Sequence, residues 1–363
     1  MKPGFPNSLL ILLSCCLPAA WVSPAAAQES SGPDWHFNAF GTLGFAHSDE
    51  SRADFVFSNL QPKGAGYSRN WDPDIDSRIA AQLTADFTPS LSAVLQVVSE
   101  YRSDNSYQPY VNWANIQYAV TPELNVRFGR IALESFMGSA SRQVGYSNPW
   151  IRPSAEVYRL LALTNSDGID IRYRKHFGDV TNSITLLYGK KTVTNTQGVT
   201  VHNTDIWGAY DTLSYGPYSV HMVYQEKHTD NQNPPLGKFT SAGFSYDPGD
   251  WLLNAEWVQA RNYNASRVLS TRDAWNMAAA YRAGAWTPFV SVSRLVTLGS
   301  GVQSQKTLSA GIRWDIHPHV DLKLQIDHTL LDTKSSGTLQ NLQPGFHPGG
   351  RFNVVSTALD FAF

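Results

Sequence analysis

The residues best equipped for covalent or metal chemistry are sparse in this sequence and poorly spaced for it. His317 and His319 flank Pro318, but a metal site needs further ligands at fixed geometry and none lies nearby in the chain. His221 shares an alternating segment with Ser219 and Gln225 and could act as the base of a hydrolase, yet no nucleophile motif accompanies it. No glycine loop suited to phosphates and no zinc signature is present. We therefore expect no catalytic residue, no metal ligand and no cofactor. A larger set is different in kind. Arg78, Gln82, Glu100, Arg102, Asn125, Arg127, Arg172, Arg174, Lys227, Glu256, Arg313, Lys323 and Asp327 fall on the polar parity of extended segments. A wall of such charge around water acts by electrostatics, selecting ions and orienting dipolar solutes.

The elements that would hold this wall have a period of two. Ile79, Ala81, Leu83, Ala85 and Phe87 face one way, and Arg78, Gln82, Thr84 and Asp86 the other. Val320, Leu322, Leu324 and Ile326 oppose Asp321, Lys323, Gln325 and Asp327, and Leu308, Ala310, Ile312 and Trp314 oppose Thr307, Ser309, Gly311 and Arg313. A soluble sandwich would alternate in the same way. Composition narrows the choice. The 363 residues are 16% charged and 12% aromatic, where soluble domains are roughly 25% charged. A mean hydropathy of −0.27 excludes a bundle of membrane helices, each of which needs about 20 consecutive apolar residues. Disordered chains are charged and poor in aromatics. The net charge of −2 leaves no basic footprint for nucleic acid. A β-barrel with lipid on one face and water on the other meets all these conditions.

Residues 1–27 read as a secretory signal, with Lys2 as the basic region, Leu9 to Leu13 opening the apolar stretch, and Ala25-Ala26-Ala27 offering a cleavage site before Gln28. Both cysteines, Cys15 and Cys16, lie inside it, so the exported chain would carry no disulfide and no thiolate. Residues 28–363 are expected to form one domain.

Turn spacing sets the strand count. Tight turns with Gly or Pro chemistry are read at Thr88-Pro89-Ser90, Thr121-Pro122-Glu123, Gly178-Asp179, Gly216-Pro217, Pro248-Gly249-Asp250, Gly284-Ala285 and His317-Pro318-His319. Longer polar stretches separate them, near residues 48–75, 103–109, 131–166, 190–204, 228–237, 262–272, 296–304 and 329–350. Seven short and eight long connections join sixteen strands, an even number that puts both termini on the short-turn side, as in outer-membrane barrels. Phe87, Tyr118, Phe177, Tyr215, Tyr218, Tyr246, Trp251, Tyr281, Trp286 and Trp314 gather near the short turns, where amphipathic rings favour the headgroup level. The last segment alternates through Val355, Thr357, Leu359, Phe361 and Phe363. It must pair with the first, Trp35 to Ala46, so that no edge is left in lipid. The facing of the segment Ile206 to Leu213 stays open, because Trp207 and Asp211 share a parity.

Several phrases then carry a resemblance. Arg127-Phe128-Gly129-Arg130 resembles the end of a fifth strand, and Asp167-Gly168-Ile169-Asp170 the strand after the third loop, in the Gram-negative trimeric porin superfamily. Ala280-Tyr281-Arg282, Trp286-Thr287-Pro288-Phe289 and Gly311-Ile312-Arg313-Trp314-Asp315 resemble its late-strand phrases. The resemblance implies an all-β, sixteen-stranded transmembrane antiparallel barrel with the third loop folded into the lumen. It also implies a passive channel of the bacterial outer membrane, reached through the periplasm and commonly homotrimeric. Its partners would be small hydrophilic solutes and ions, with outer-membrane lipid and lipopolysaccharide around it.

The stretch Ile131 to Ser166, about 36 residues, is too long for a bare hairpin connection. Phe136, Trp150, Ile151, Val157, Tyr158, Leu160, Leu161 and Leu163 would pack it, and it also carries Glu134, Arg142, Arg152, Glu156 and Arg159. By the resemblance it would constrict a pore, with Glu134, Glu156 and Arg152 near the wall cations Arg78, Arg127, Arg172, Arg174, Arg313 and Lys323. Because the loop carries both signs, an acidic loop against a basic wall is not the whole expectation. Two other functions are weighed against a channel: an outer-membrane barrel enzyme of protease or lipase type, and a structural or adhesive barrel that binds surface partners through its long loops.

Overall fold

A strand with one apolar and one polar face can leave no edge in lipid, and this constraint organises the chain. The computed structural model describes residues 32–230, 236–264, 267–299 and 303–363; the expected secretory signal lies outside the described residues. The long strands are β1 (Asp34–Ser48), β2 (Arg78–Thr88), β3 (Leu91–Glu100), β4 (Tyr110–Ala119), β5 (Leu124–Ala132), β6 (Asn165–Phe177), β7 (Val180–Thr194) and β8 (Thr200–Tyr215). They continue as β9 (Tyr218–Thr229), β10 (Leu236–Tyr246), β11 (Trp251–Asn264), β12 (Arg267–Tyr281), β13 (Trp286–Gly299), β14 (Gln305–His317), β15 (Val320–Leu331) and β16 (Arg351–Ala362). Each pairs antiparallel with the next, and β16 returns to β1 from Phe40↔Ala362 to Ser48↔Val354. Phe363 extends the seam: its carbonyl accepts from the Ala39 amide at 2.9 Å and its amide donates to the Ala39 carbonyl at 2.7 Å. The expected sixteen-stranded closed barrel is what forms.

The two parities separate as expected. Phe37, Phe128, Leu186, Met277 and Leu308 are exposed on the outer surface, while Thr185, Gln225, Ser241, Thr307 and Ser356 are buried on the inner one. The short turns fall where Gly and Pro place them. Beside them the outward aromatics pair across strands in register: Trp286 stacks on Trp314 with ring centroids 5.2 Å apart, and Trp251 meets Tyr281 at 4.8 Å and Tyr218 meets Tyr246 at 4.9 Å with tilted rings.

The external connections depart from expectation. The connection expected over 190–204 is only residues 195–199, because β7 and β8 pair as far as Thr194↔Thr200. Likewise β11 runs to Asn264 and β12 starts at Arg267, inside the stretch expected as loop over 262–272. Beyond the lipid both strand faces meet water, so polarity stops distinguishing strand from loop while the backbone ladder continues. The first and last long loops fold onto each other. Asn341 donates to Asp54 Oδ2 at 2.6 Å, the Gln340 amide to the Asp54 carbonyl at 3.0 Å, and Arg52 to the Pro344 carbonyl at 2.6 Å.

The open question on β8 is resolved by a bulge. The register shifts between Thr204 and Trp207, and Asp205 takes a positive φ of 48°. Asn203 above the bulge and Ile206 below it are both buried, so the inward parity switches there, as an extra residue requires. Trp207 and Asp211 both point outward, and Asp211 accepts from Asn182 of β7 at 2.6 Å.

The stacked Trp286–Trp314 pair should show a coupling of about 0.5–1.5 kcal/mol. A double-mutant cycle of Trp286→Ala and Trp314→Ala, read from urea unfolding in lipid vesicles, measures it; additive single effects would place the two rings in lipid without mutual support.

Candidate functional site

The long third loop leaves and rejoins the wall between two phrases that lie directly opposite each other. Arg127 pairs in register with Asp170 and Arg130 with Asp167, while Gly129 faces Gly168 and Gly168 faces Gly189. Arg127 grips Asp170 through two nitrogens, Nε to Oδ1 at 3.0 Å and Nη2 to Oδ2 at 2.6 Å. Arg130 holds Asp167 with 2.6 and 2.9 Å contacts. Such fork-on-carboxylate pairs fix direction as well as position. Gly129 has φ of 127°, and a Cβ there would collide with the Ala114 carbonyl, which explains why the phrase needs glycine.

From this neck the chain crosses the inner wall. The Glu134 carboxylate contacts Arg127 at 3.4 Å and is also bonded to Arg172, so the loop's first acid meets two of the expected wall cations. The Glu134 carbonyl accepts from His221 Nε2 at 2.8 Å, and His221 Nδ1 lies 2.9 Å from the Thr212 hydroxyl. Both ring nitrogens of His221 are thus committed to holding structure, which removes the geometry a hydrolytic base would need. Further on, Ser135 donates to Gln225 at 2.9 Å and the Met137 amide to Glu256 at 2.7 Å. The Ile151 amide donates to Gln325 at 3.0 Å.

Other expected site residues turn inward as anchors. Arg152 donates to Asp76 at 2.9 and 2.6 Å, to Asp327 at 3.0 Å and to Ser356 at 2.6 Å, with its guanidinium 5.2 Å from the Phe55 ring centre. Glu156, in the one-turn helix α1 (Ala155–Tyr158), accepts from Ser293 at 2.8 Å, from Gln305 at 2.5 Å and from Thr307. Lys323 donates to the Gly145 carbonyl at 2.7 Å and to Asp360 at 2.8 Å. Arg313 bonds Asp315, Asp321 and the Tyr146 carbonyl, 4.5 Å from the Tyr146 ring centre. Arg78 donates to the Arg142 carbonyl at 3.3 Å. Arg174 shares the inward parity with Arg172, on the side of the short turn, and its amide donates to the Glu123 carbonyl at 2.8 Å.

The apolar anchors read from the sequence pack against inward apolar wall residues. Phe136, Val157, Tyr158, Leu160, Leu161 and Leu163 join Leu187, Ile206, Tyr210, Phe239, Val258 and Leu295 in one buried cluster. The interior is therefore partly dry, and its charges are tolerated through pairing rather than by water alone. Beneath the loop, toward the short turns, remains a cavity of about 860 Å³ lined by groups such as Ser219, Asn254, Asn276, Ser291 and Ser309. Asp76, Asp170 and Asp360 are the partners that reading the sequence missed. Each is a buried acid whose cation lies 37 or more positions away in the chain, and no local spacing announces that.

A family described as Gram-negative porin matches residues 16–334. Among solved structures, an anion-selective porin from Comamonas acidovorans aligns at 13% identity with a TM-score of 0.63, covering 91% of this chain and 100% of that one. The outer membrane channel DcaP of Acinetobacter baumannii aligns at 11% identity and TM-score 0.61, covering 93% and 100%. The trimer form of OmpT, an outer membrane protein of Vibrio cholerae, aligns at 11% identity and TM-score 0.59, covering 91% and 99%. A comparison with curated protein sequences gives no match.

Replacing Arg152 with Met would leave Asp76 and Asp327 buried without their partner, a loss of about 3–5 kcal/mol. Chemical unfolding of the reconstituted barrel reads this, and adding Asp76→Asn should recover part of it. Equal stability of Arg152→Met and the parent would mean that the loop is held by its apolar side alone.

Proposed function

The chain belongs to the Gram-negative porin family, and on that premise we propose that Glu134, Arg127 and Arg172 form the polar ring that sets its selectivity. A porin is a water-filled channel of the bacterial outer membrane through which small hydrophilic solutes and ions diffuse passively, with no catalytic step. Sixteen strands are wide enough for such a channel. A loop bonded to inward residues of so many strands narrows it from within. The supporting observation is a contrast in exposure. The Glu134, Arg127 and Arg172 side chains keep 29%, 17% and 17% of their surface accessible, whereas Arg152 keeps 3%. Opposed charges on facing surfaces create a transverse field that orients dipolar solutes and screens ions. Arg78 and Arg174 extend the basic side of that field. Glu156, Arg152, Arg313 and Lys323 hold the loop in place.

We further propose a homotrimer in outer-membrane lipid and lipopolysaccharide, matured by removal of residues 1–27. The trimer is supported by the form described for the Vibrio cholerae protein. The adhesive reading is weakened because the first and last long loops bond to each other, and no nucleic-acid partner is proposed.

Purified barrel in planar bilayers should give stable, ohmic, salt-dependent conductance steps. In a salt gradient Glu134→Gln should move the reversal potential toward anion preference; an unchanged potential would place Glu134 off the permeation path. Glu156→Gln should instead act mainly on stability. Native mass in detergent should correspond to three chains, and a monomer mass at all protein concentrations would sink the trimer.

A further inference from the structure

Above the loop, on the side away from the short turns, the inner wall of β7 to β12 and the loop residues Arg159 to Leu163 enclose a recess of about 270 Å³. We infer that this recess is a binding subsite for a small oxyanion, a carboxylate or phosphate group, taken up on the way through the channel. The inference rests on the pore reading above and deepens it by naming a solute class.

The first observation is charge. The described lining includes Arg159, Lys227, Lys238 and Arg272 and contains neither Asp nor Glu. Lys238 is already paired, with Glu226 at 2.8 Å. The other three form no ion pair with a carboxylate among the described residues. Arg159 is buried and donates only to neutral oxygens: the Asn59 side chain at 2.6 Å and the carbonyls of Val56 and Thr338 at 2.8 and 2.6 Å. Lys227 donates to Asn203 Oδ1 at 2.7 Å. The Nε of Arg272 is buried with no hydrogen-bond partner among the described residues. Arg127, Arg152, Arg313 and Lys323 elsewhere on the inner surface each hold a carboxylate, which these three do not.

The second observation is space. In the ladder, Lys227 faces Gly237 and Arg272 faces Ala260. These small residues on β10 and β11 lie between the two long side chains. A Cβ on Gly237 would come within 3.1 Å of Lys227 Cε, so glycine keeps the lysine stem lying over the wall. Asn203, Gln225 and Asn262 add neutral amide side chains to the lining.

A buried N–H without an acceptor and cations balanced only by neutral dipoles are costly. An incoming oxyanion removes both costs at once through charge-assisted hydrogen bonds. The volume suits a small mono- or dianion rather than a sugar chain.

The test uses the reconstituted full barrel in planar bilayers, with succinate or inorganic phosphate added to a chloride background on the loop side. Saturable, concentration-dependent block of the current is expected from at least one of the two, and which one blocks names the oxyanion. Lys227→Gln and Arg272→Gln should each raise the half-blocking concentration about tenfold. Lys227→Arg should restore block, and circular dichroism of the barrel should show that each variant folds. A conducting channel that neither anion blocks, or a double variant that folds and is blocked as the parent is, overturns the subsite and leaves the porin reading standing. A barrel that never conducts overturns the pore reading itself.

Discussion

In hydrocarbon every backbone donor and acceptor must find a partner within the protein, and the seam between β1 and β16 is where this chain meets that demand. Phe40 to Ser48 against Val354 to Ala362, extended by the Ala39–Phe363 pair, leaves no open edge. Once the sheet is closed over sixteen strands, its perimeter is set, and so is an interior too wide for wall side chains to fill. The third loop follows from that geometry. It carries the apolar residues that line one side of the interior and the charged residues that meet the other.

The loop's position depends on pairs of unlike charge placed far apart in the chain. At the neck, Arg127 with Asp170 and Arg130 with Asp167 hold the departing and returning strands together. Deeper in, Arg152 draws together Asp76, Asp327 and Ser356, three segments that do not meet in sequence. Buried ion pairs add little over well-packed apolar residues, but losing one partner is expensive because the other charge stays buried. Such pairs specify one arrangement of the loop more than they strengthen it.

The same economy separates structural charge from functional charge. Where a cation has its own carboxylate and little exposure, as with Lys323 and Asp360, its field is spent locally. Where charges remain partly accessible, as around Glu134, or form no carboxylate ion pair, as around Lys227 and Arg272, the field is not cancelled locally, and it is these charges that we propose act on a passing solute. The two kinds share one parity of one barrel, and only their neighbours tell them apart.

Alternation, the Gly and Pro turns and the aromatic crowding near them determined the barrel, its strand number and which face meets lipid, because these are properties of residues two to twenty positions apart. They failed where that local signal vanished. Outside the lipid both faces of β7 and β8 are polar, so paired strand read as loop, and the bulge at Thr204 to Ile206 hid the facing of Trp207. The charged wall was legible as a set; of the two loop glutamates expected to face wall cations, Glu134 meets Arg127 and Arg172, whereas Glu156 is held by the neutral groups of Ser293, Gln305 and Thr307. The partners of other charges were not legible: Asp76 for Arg152, Asp360 for Lys323, the neutral oxygens around Arg159. Those pairings arise only when closure brings distant strands and the loop to the same depth, so the tertiary structure alone decided which charges are neutralised and which are left partly exposed.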